Sequence, residues 1–461
     1  MTLVAGVDSS TQSVKIVIRE AETGQLIREG RASHPDGTEV DPAHWWSAIQ
    51  EAIALAGGLD DVSALSIGGQ QHGMVALDAE GAVIRPALLW NDTRSAKEAD
   101  DLNREIPNIA ELSGSALVAS FTASKVRWLA DHESENAKRV AAICLPHDWL
   151  SWKLSGSTSI KDLFTDRSEA SGTGYFNPSS STYLPEVFST ALRSTQPVVL
   201  PRIISSREFG ATTKNGLKIG AGAGDNAGAG FGIQAEEGDV IVSLGTSGTA
   251  FAISSTPTND SSGTIAGFAS TSGEFLPLVC TLNAARILDA ATKILNVSHE
   301  ELGDLALRSK PGANGLTLLP YFEGERTPNR PDATGILAGI AVTNSTQENM
   351  ARAYIEGMLC GLADAVDALE KAGVSIRRVF LVGGAAKNPA VSKIASALFG
   401  REVLVPPAGE YVANGAARQA AWALSGKEKP PVWNLGEVVS VKAEATPEVL
   451  VRYRALRDLT A

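Results

Sequence analysis

The stretch LVAGVDSSTQSVKIVIR at residues 3–19 decides the fold of the first half of the chain. Residues 3–7 and 14–19 are rich in β-branched side chains, so each run predicts a strand. The small polar residues 9–12 between them predict a tight turn. The chain therefore opens with a predicted hairpin whose connecting loop is polar.

The residues after this hairpin continue in an alternating pattern. Residues 25–32 predict a third strand, and Asp41 followed by Pro42 is a typical helix start with an N-cap carboxylate. Residues 62–67 predict a further strand after that helix. The order β-β-β-α-β indicates an α/β domain.

A similar pattern opens the second half, where SLGTSGTAFAI at residues 243–253 again gives a strand, a small polar turn and a strand. We interpret the two hairpins as an internal repeat of architecture, although two unrelated hairpins would look alike at this point. The charged stretch 232–238 is the expected boundary, which predicts domains at 1–234 and 235–461. The remaining elements predicted in the second half are strands at 239–244, 275–280, 378–382 and 402–405, and helices at 284–295, 346–371, 389–399 and 412–424.

Composition limits the function. The chain has 461 residues, of which 44% are hydrophobic and 20% charged, as in packed globular proteins. Its net charge of −12 argues against nucleic acids or anionic membranes as main partners. A local group of backbone amides can still bind one anionic metabolite.

The cysteines Cys144, Cys280 and Cys360 are odd in number and far apart, so neither a disulfide framework nor a thiolate zinc site is expected. Residues 1–8 lack the pattern of a signal peptide. The uncharged run 240–259 is too rich in Ser, Thr and Gly to predict a membrane span. A reducing, cytoplasmic location is expected.

Two loops are suited to phosphate. The small residues after Asp8 have sterically free amides that can surround a phosphate, and Asp8 itself suits Mg²⁺, directly or through water. An ordinary hairpin, in which Asp8 and Ser9 satisfy the turn, is the alternative. The turn GTSGT at 245–249 has the same chemistry and suits the other side of a polyphosphate.

A third loop, GAGAGDNAGAG at 220–230, places one carboxylate in a run of Gly and Ala. Asp225 is a candidate general base there, and the alternative is a glycine-rich helix start with Asp225 as its N-cap. The run also matches the dinucleotide pattern G-x-G-x-x-A. We reject that match because Asp225 would lie beside the pyrophosphate.

Two further glycine-rich turns follow predicted strands. GGQQHG at 68–73 suits recognition of hydroxyls, although a lone histidine is often a core residue. GGAAKN at 383–388 lets a flat ring lie against bare backbone, or is a simple strand-to-helix turn. No P-loop GxxxxGK[ST] occurs, so a nucleotide would be bound by other means.

Six segments together resemble the FGGY family of carbohydrate kinases, in the superfamily of actin, the heat-shock 70 ATPases and hexokinase. They are GGQQHGMVALD (68–78), RPALLWNDTRS (85–95), FTASKVRWL (121–129), LPHDWLSWKLSG (145–156), TDRSEASGTGYF (165–176) and GAGDNAGAGFG (222–232). The resemblance implies an α/β fold of two RNase H-like domains with a central cleft, and ATP with Mg²⁺ as cofactors.

The resemblance also implies an activity, the phosphorylation of D-xylulose at its terminal hydroxyl. Another ketopentose or a polyol stays open as substrate, as does a non-catalytic switch ATPase; a dehydrogenase is a more distant alternative. The expected partners are the sugar and ATP, without nucleic acid or membrane, and a homodimer stays open. The implied site residues are Asp225 as catalytic base, Asp8 as the Mg²⁺-associated aspartate, Gln71, His72 and Asn226 on the sugar, Thr11, Gln12, Lys15, Gly245, Thr246 and Ser247 on the phosphates, and Gly383, Gly384 and Asn388 on the adenosine.

The chain departs from the family pattern at four positions. Lys393 and Ala397 stand where the family helix usually carries Gln and Asp, and Asn414 stands where Leu is usual. Gln71 replaces the Met that commonly precedes the histidine in members acting on xylulose. None of these changes removes a residue that the chemistry needs.

Overall fold

The computed structural model describes residues 1–460, which form two compact units. Neither unit is continuous in sequence. The first unit consists of residues Met1–Ala235, Ser255–Leu276 and Glu410–Asn434. The second consists of residues 236–254, 277–409 and 435–460.

The strands, in chain order, are β1 Leu3–Ser9, β2 Ser13–Glu20, β3 Leu26–Ser33, β4 Glu39–Val40, β5 Val62–Gly69, β6 Val75–Leu77, β7 Ala87–Leu88, β8 Ala142–Cys144, β9 Phe164–Thr165, β10 Phe176–Asn177, β11 Thr182–Tyr183, β12 Arg202–Ile203, β13 Phe209–Thr212, β14 Lys218–Gly220, β15 Ala223–Gly224, β16 Asp239–Leu244, β17 Gly248–Ala252, β18 Ala266–Ala269, β19 Phe275–Thr281, β20 Thr317–Leu319, β21 Ile336–Ala338, β22 Arg378–Val382, β23 Val403–Val405 and β24 Val439–Val441.

The helices are α1 Pro42–Leu55, α2 Ala96–Glu105, α3 Ile109–Ser113, α4 Thr122–His132, α5 Ser134–Arg139, α6 Pro146–Ser155, α7 Arg167–Ser171, α8 Pro185–Leu192, α9 Asp225–Gly232, α10 Ala285–Leu295, α11 His299–Arg308, α12 Gln347–Lys371, α13 Pro389–Phe399, α14 Tyr411–Ser425 and α15 Pro447–Leu459. Short 3₁₀ helices cover Ile160–Asp162, Ala313–Gly315 and Gly384–Lys387. No helix within residues 1–460 is long and apolar enough to cross a membrane.

The main sheet of the first unit has the strand order β13-β14-β5-β1-β2-β3, with β15 also pairing with β5. Strand β2 runs antiparallel to β1 and β3, whereas β5 runs parallel to β1 and β14. The predicted hairpin is therefore confirmed, and so is the β-β-β-α-β order, apart from the two-residue strand β4, which precedes α1 and lies outside this sheet. The predicted start of α1 is confirmed as well, since the Asp41 side chain accepts a hydrogen bond from the Ala43 amide at 2.9 Å.

Alternate side chains of the sheet point to opposite faces, and each face is covered by a helix. On one face, Trp45 and Ile49 of α1 pack in a core that includes Val7. On the other, the alanines of α14 pack on Val4 and Val17. Contact with α14 is so close that a Cβ on Gly6 would lie 1.9 Å from the Ala413 carbonyl oxygen, so the strand needs glycine there.

The sheet of the second unit contains the strands β19-β17-β16-β22-β23-β24 in that order. Strand β17 is antiparallel to both β16 and β19, β22 is parallel to β16 and β23, and β24 is antiparallel to β23. The order and directions match those of β3-β2-β1-β5-β14-β13 in the first unit. The predicted internal repeat is thus confirmed at the level of topology, and both units belong to the α/β class.

Candidate active site

Three neighbouring parallel strands of the first unit end at one edge of the sheet. In their register Asp8 of β1 lies opposite Gly68 of β5, and Gly68 lies opposite Ala223 of β15. Adjacent strands are about 4.8 Å apart, so the segments that follow these strands meet at this edge. Asp8, the turn after β5 and the start of α9 are therefore neighbours.

Asp225 is the first residue of α9, and Gly224 occupies the N-cap position without a side-chain cap. The alternative that Asp225 is itself the N-cap is therefore wrong. Its Oδ1 accepts hydrogen bonds from the backbone amide and the side-chain Nδ2 of Asn226, at 2.7 and 2.8 Å. Burial raises the pKa of Asp225 to about 6, against the lowering effect of these hydrogen bonds. A carboxylate with such a pKa is ionised at neutral pH and basic enough to accept a proton.

Asp8 is buried at the end of β1, with 6% of its surface exposed. Burial raises the pKa of Asp8 to about 7, while Lys15 opposes the shift. Its Oδ1 has no hydrogen-bond partner, and its Oδ2 lies 3.8 Å from Lys15 Nζ. Lys15 is itself held by Glu410, at 2.6 Å between Nζ and Oε2.

An unpartnered buried carboxylate oxygen is a suitable ligand for Mg²⁺, which usually takes one or two protein carboxylates together with substrate phosphates. Residues 1–460 contain no cluster of three or more His, Cys, Asp or Glu side chains that would form a cage around a metal. Asp8 therefore fits a metal that arrives with a nucleotide.

The turn after β5 carries Gln71 and His72. His72 adopts φ of 72°, the left-handed region in which a non-glycine residue is uncommon. Its Nδ1 donates a hydrogen bond to the carbonyl of Gly172 at 2.6 Å, and its ring contacts Phe121 and Phe268. Gln71 donates from Nε2 to the carbonyl of Ser168 at 2.7 Å. Both side chains are thus oriented by the segment around α7.

The first predicted phosphate loop touches this turn. Thr11 donates from Oγ1 to Oε1 of Gln70 at 3.4 Å and accepts from Nε1 of Trp90 at 2.8 Å. Gln12, next to Thr11, is exposed. Asp8, Thr11, Gln12 and Lys15 accordingly lie on one hairpin, beside the turn that carries His72.

The remaining predicted nucleotide residues lie in the second unit. Strands β16 and β22 are parallel, with Ser243 opposite Val382, so Gly245, Thr246 and Ser247 follow one strand where Gly383 and Gly384 follow the other. A Cβ on Gly383 would lie 2.5 Å from the Leu244 carbonyl oxygen, which shows how closely the two turns pack.

A cavity of about 650 Å³ opens beside these turns. Gly384 and Asn388 line it together with the helices α10 and α11. Asn388 caps α13 by accepting from the Ala390 amide, and its Nδ2 donates to the His299 carbonyl at 2.7 Å. The Asn388 side chain therefore joins two walls of the cavity.

Sequence reasoning missed the residues that α10 and α11 contribute to this cavity. They are Ala285, Leu288, Asp289, His299, Glu300, Leu302, Gly303, Asp304 and Leu307. The one available signal was Gly303, a glycine inside an amphipathic helix, which the structure places against the Asn388 side chain. Glu410 was missed for another reason: its partner Lys15 is 395 residues away in sequence.

Comparison with known proteins identifies the family. The sequence model of the FGGY carbohydrate kinase N-terminal domain matches residues 3–231, and that of the C-terminal domain matches residues 240–424. The chain belongs to the FGGY family of carbohydrate kinases.

Similar proteins cover nearly the whole of this carbohydrate kinase. A protein of Streptomyces coelicolor named xylulose kinase is 39% identical over 452 residues, which is 94% of this chain and 91% of that protein. The xylulose kinase of Escherichia coli is 30% identical, covering 90% and 89%. The crystal structure of xylulose kinase from Bifidobacterium adolescentis superposes with a TM-score of 0.92 at 46% identity, covering 99% of both chains. These relatives favour a sugar kinase over the switch ATPase and the dehydrogenase.

Proposed function

We propose that this FGGY kinase transfers the γ-phosphoryl group of ATP to the terminal hydroxyl of D-xylulose, giving D-xylulose 5-phosphate and ADP. One observation carries the choice of sugar: relatives named xylulose kinase match at 39% identity over 94% of the chain. The arrangement of Asp225, His72 and Asp8 at one sheet edge supports the chemistry.

In this proposal Asp225 is the general base. The sugar oxygen forms its bond to the γ-phosphorus, the bond from that phosphorus to the bridging oxygen of ADP breaks, and the hydroxyl proton passes to the Asp225 carboxylate. Phosphoryl transfer usually has a loose transition state, so the base acts late and also orients the hydroxyl. Asn226 supports it by holding Oδ1, which leaves Oδ2 for the proton.

Asp8 is the proposed residue for Mg²⁺, through its unpartnered Oδ1. A Mg²⁺ ion held there would neutralise negative charge on the phosphates of ATP. Lys15 and Thr11 lie on the same hairpin and are proposed to contact phosphate oxygens, while Gly245, Thr246 and Ser247 take the equivalent role in the second unit. We further propose that residues 1–234 form the domain with the sugar site, the catalytic base and the first phosphate loop. Residues 235–461 then form the domain with the second phosphate loop and the adenosine site.

The sugar is assigned to His72, Gln71 and Asn226. A site that binds hydroxyls through hydrogen bonds rejects a sugar that leaves those groups unpaired. Gln71 already donates one hydrogen bond to Ser168, which limits the ways in which its amide can bind a hydroxyl.

A coupled ADP-release assay over ketopentoses, aldopentoses, pentitols and glycerol tests the proposal. We expect the highest kcat/KM with D-xylulose, and ³¹P–¹H NMR should place the phosphate on the terminal carbon. A higher kcat/KM for another ketopentose or for a polyol would replace D-xylulose by that substrate. Absence of ADP release with every sugar would overturn the kinase proposal.

A further inference from the structure

The short helix α7, which is capped by Asp166, contacts the two segments that carry the proposed sugar-binding residues. These are the turn after β5, with Gln71 and His72, and the start of α9, with Asp225. Ser168, in the first turn of α7, is fully buried. Its carbonyl accepts the hydrogen bond from Gln71, and its Oγ accepts one from the Gly224 amide at 3.0 Å. Gly224 directly precedes Asp225, so a single serine contacts the backbone next to the base and the side chain next to His72.

The Ser168 hydroxyl is itself held in place by Asp166. Oδ2 of Asp166 accepts from Ser168 Oγ at 2.5 Å and from the Ser168 amide at 2.8 Å, and Oδ1 accepts from the Glu169 amide at 3.0 Å. Because the hydroxyl hydrogen points to Asp166, the Oγ lone pairs face the Gly224 amide. A hydroxyl that donates to a carboxylate is polarised and becomes a better acceptor.

A buried histidine lies behind this cap. His147 is fully buried, with Nδ1 3.1 Å from Asp148 and Nε2 3.5 Å from Asp166. Burial lowers the pKa of His147, but the two carboxylates outweigh this effect and raise it. The two carboxylates therefore favour the charged form of the His147 ring.

Packing leaves these groups little freedom. A Cβ on Gly224 would lie 2.6 Å from Gln71 Nε2, and a Cβ on Gly222 would lie 3.1 Å from the His147 ring. The loop 222–225 is therefore enclosed by Gln71 and His147, with Ser168 as its hydrogen-bonded contact. Displacement of Ser168 would shift the start of α9, where Asp225 lies.

We propose that Ser168, held by Asp166, is a positioning residue that fixes Asp225 for proton transfer and aligns Gln71 with it. The inference rests on the proposed function, since it assigns a role only within the sugar site. The proposal assigns a role to two of the family segments, LPHDWL (145–150) and TDRSEAS (165–171). His147 and Asp148 lie in the first segment, and Asp166 and Ser168 lie in the second.

The test is Ser168→Ala, with Ser396→Ala as the matched control. Ser396 is equally buried, and its hydroxyl also donates one hydrogen bond and accepts one from a backbone amide at 3.0 Å, but it lies in α13 of the second unit and outside the cavity lining. The two variants should lose similar thermal stability. We expect kcat to fall about tenfold in Ser168→Ala only, the equivalent of one lost hydrogen bond to a polarised group. KM for ATP should stay within about twofold in both.

Equal kcat in the two variants would overturn the inference, and so would a loss confined to KM for ATP. Asp166→Asn serves if Ser168→Ala does not fold, because it keeps the shape of the cap and removes its charge. It should lower kcat several-fold at unchanged KM for ATP, and an unchanged kcat would count against the role of Asp166. If the wild-type enzyme has no activity on any sugar, the proposed function itself is contradicted. That outcome differs from the failure of the positioning role, which requires an active wild-type enzyme.

Discussion

Asp8 at the end of β1 and Asp225 directly after β15 lie at the same edge of the sheet, yet their surroundings suit them to different tasks. Asp8 is buried, keeps one oxygen unpartnered and faces the ammonium group of Lys15 at 3.8 Å. Asp225 is half-buried and is held by the neutral amide of Asn226. Burial raises the pKa of both carboxyl groups, to about 7 for Asp8 and to about 6 for Asp225, so it is their contacts that distinguish them. The first environment suits a metal ligand and the second a proton acceptor.

Asp225→Asn should keep the shape of the site and abolish the base. We expect kcat to fall about 10²–10⁴-fold, the usual contribution of a general base. ATP binding, measured by isothermal titration calorimetry, should be unchanged, because the cavity lined by the predicted adenosine residues Gly384 and Asn388 lies in the second unit. Asp260→Asn, an aspartate that hydrogen-bonds Ser262 and the Ile265 amide within its own loop, is the control and should keep wild-type kcat. Turnover near wild type in Asp225→Asn would remove Asp225 from the mechanism.

The raised pKa of Asp225 predicts that the pH profile of kcat/KM has an acid limb. With saturating MgATP, kcat/KM for D-xylulose should fall as the pH drops through about 6, because the protonated carboxyl cannot accept the hydroxyl proton. Above that pH the value should level off. The residual activity of Asp225→Asn should lack this limb. A limb at the same pH in the variant would assign it to another group.

His72→Ala should act on the sugar. The variant removes a ring held by Gly172 and packed on Phe121, so we expect KM for D-xylulose to rise about 10–100-fold, the cost of an unpaired polar group. KM for ATP should change by less than about threefold. His132→Ala, an exposed histidine that contacts Glu98, is the control. A larger rise in KM for ATP than for D-xylulose would place His72 outside the sugar site.

Individual residues show what the sequence could and could not predict. Asp225, His72 and Asp8 stand out because a charged or polar residue among glycines, or at a strand end, is unusual in itself. Ser168 is an ordinary serine in a serine-rich segment, and its role depends on contacts with Gln71 and Gly224, which are 97 and 56 residues away. Local patterns carry no information on such pairs.

At the scale of elements, the packing of α14 on β1 predicts that Gly6→Ala destabilises the protein. A second glycine-to-alanine substitution, in α12, should have the opposite effect. Gly6→Ala would place a Cβ 1.9 Å from the Ala413 carbonyl oxygen, and overpacking of this kind costs about 1–3 kcal/mol or more. Gly361→Ala lies in the interior of α12, where the nearest atom to a Cβ would be 3.6 Å away. It should stabilise its helix by up to about 1 kcal/mol. Thermal unfolding should show Tm shifts of opposite sign, and a neutral Gly6→Ala would mean that α14 does not pack this closely.

Elements with strong local signals were predicted with their observed bounds, among them Asp239–Leu244, Arg378–Val382 and Pro389–Phe399. Here apolar runs, a Pro at a helix start and a Gly after its end agree with one another. Helix α14 was also predicted, but not that it covers β1, because its small side chains would pack on many surfaces. The elements between β6 and β14 were mostly missed; most of the strands there have only two or three residues, too few to show a local pattern.

At the scale of the molecule, the proposal assigns the sugar to the first unit and the adenosine part of ATP to the second. Hydrogen exchange measured by mass spectrometry should detect this. D-Xylulose alone should slow exchange in residues 69–73 and 223–227, and a non-hydrolysable ATP analogue alone should slow it in residues 285–304 and 383–390. Sucrose at the same concentration is the control. Protection of 285–304 by D-xylulose alone would place the sugar in the second unit.

The discontinuity of the first unit has a consequence for how the protein is made. The face of its sheet that carries Val4, Val17 and Ala64 is covered by Ala413, Ala417 and Ala420, which belong to a segment near the far end of the chain. A ribosome adding about 5–20 residues per second reaches residue 434 some 10–40 s after residue 235. During that interval the apolar face of the nascent sheet is exposed. Exposed apolar surface of this kind binds chaperones and promotes aggregation. We therefore expect synthesis in the cell to depend on chaperone occupancy more strongly than refolding of the finished chain at low concentration does.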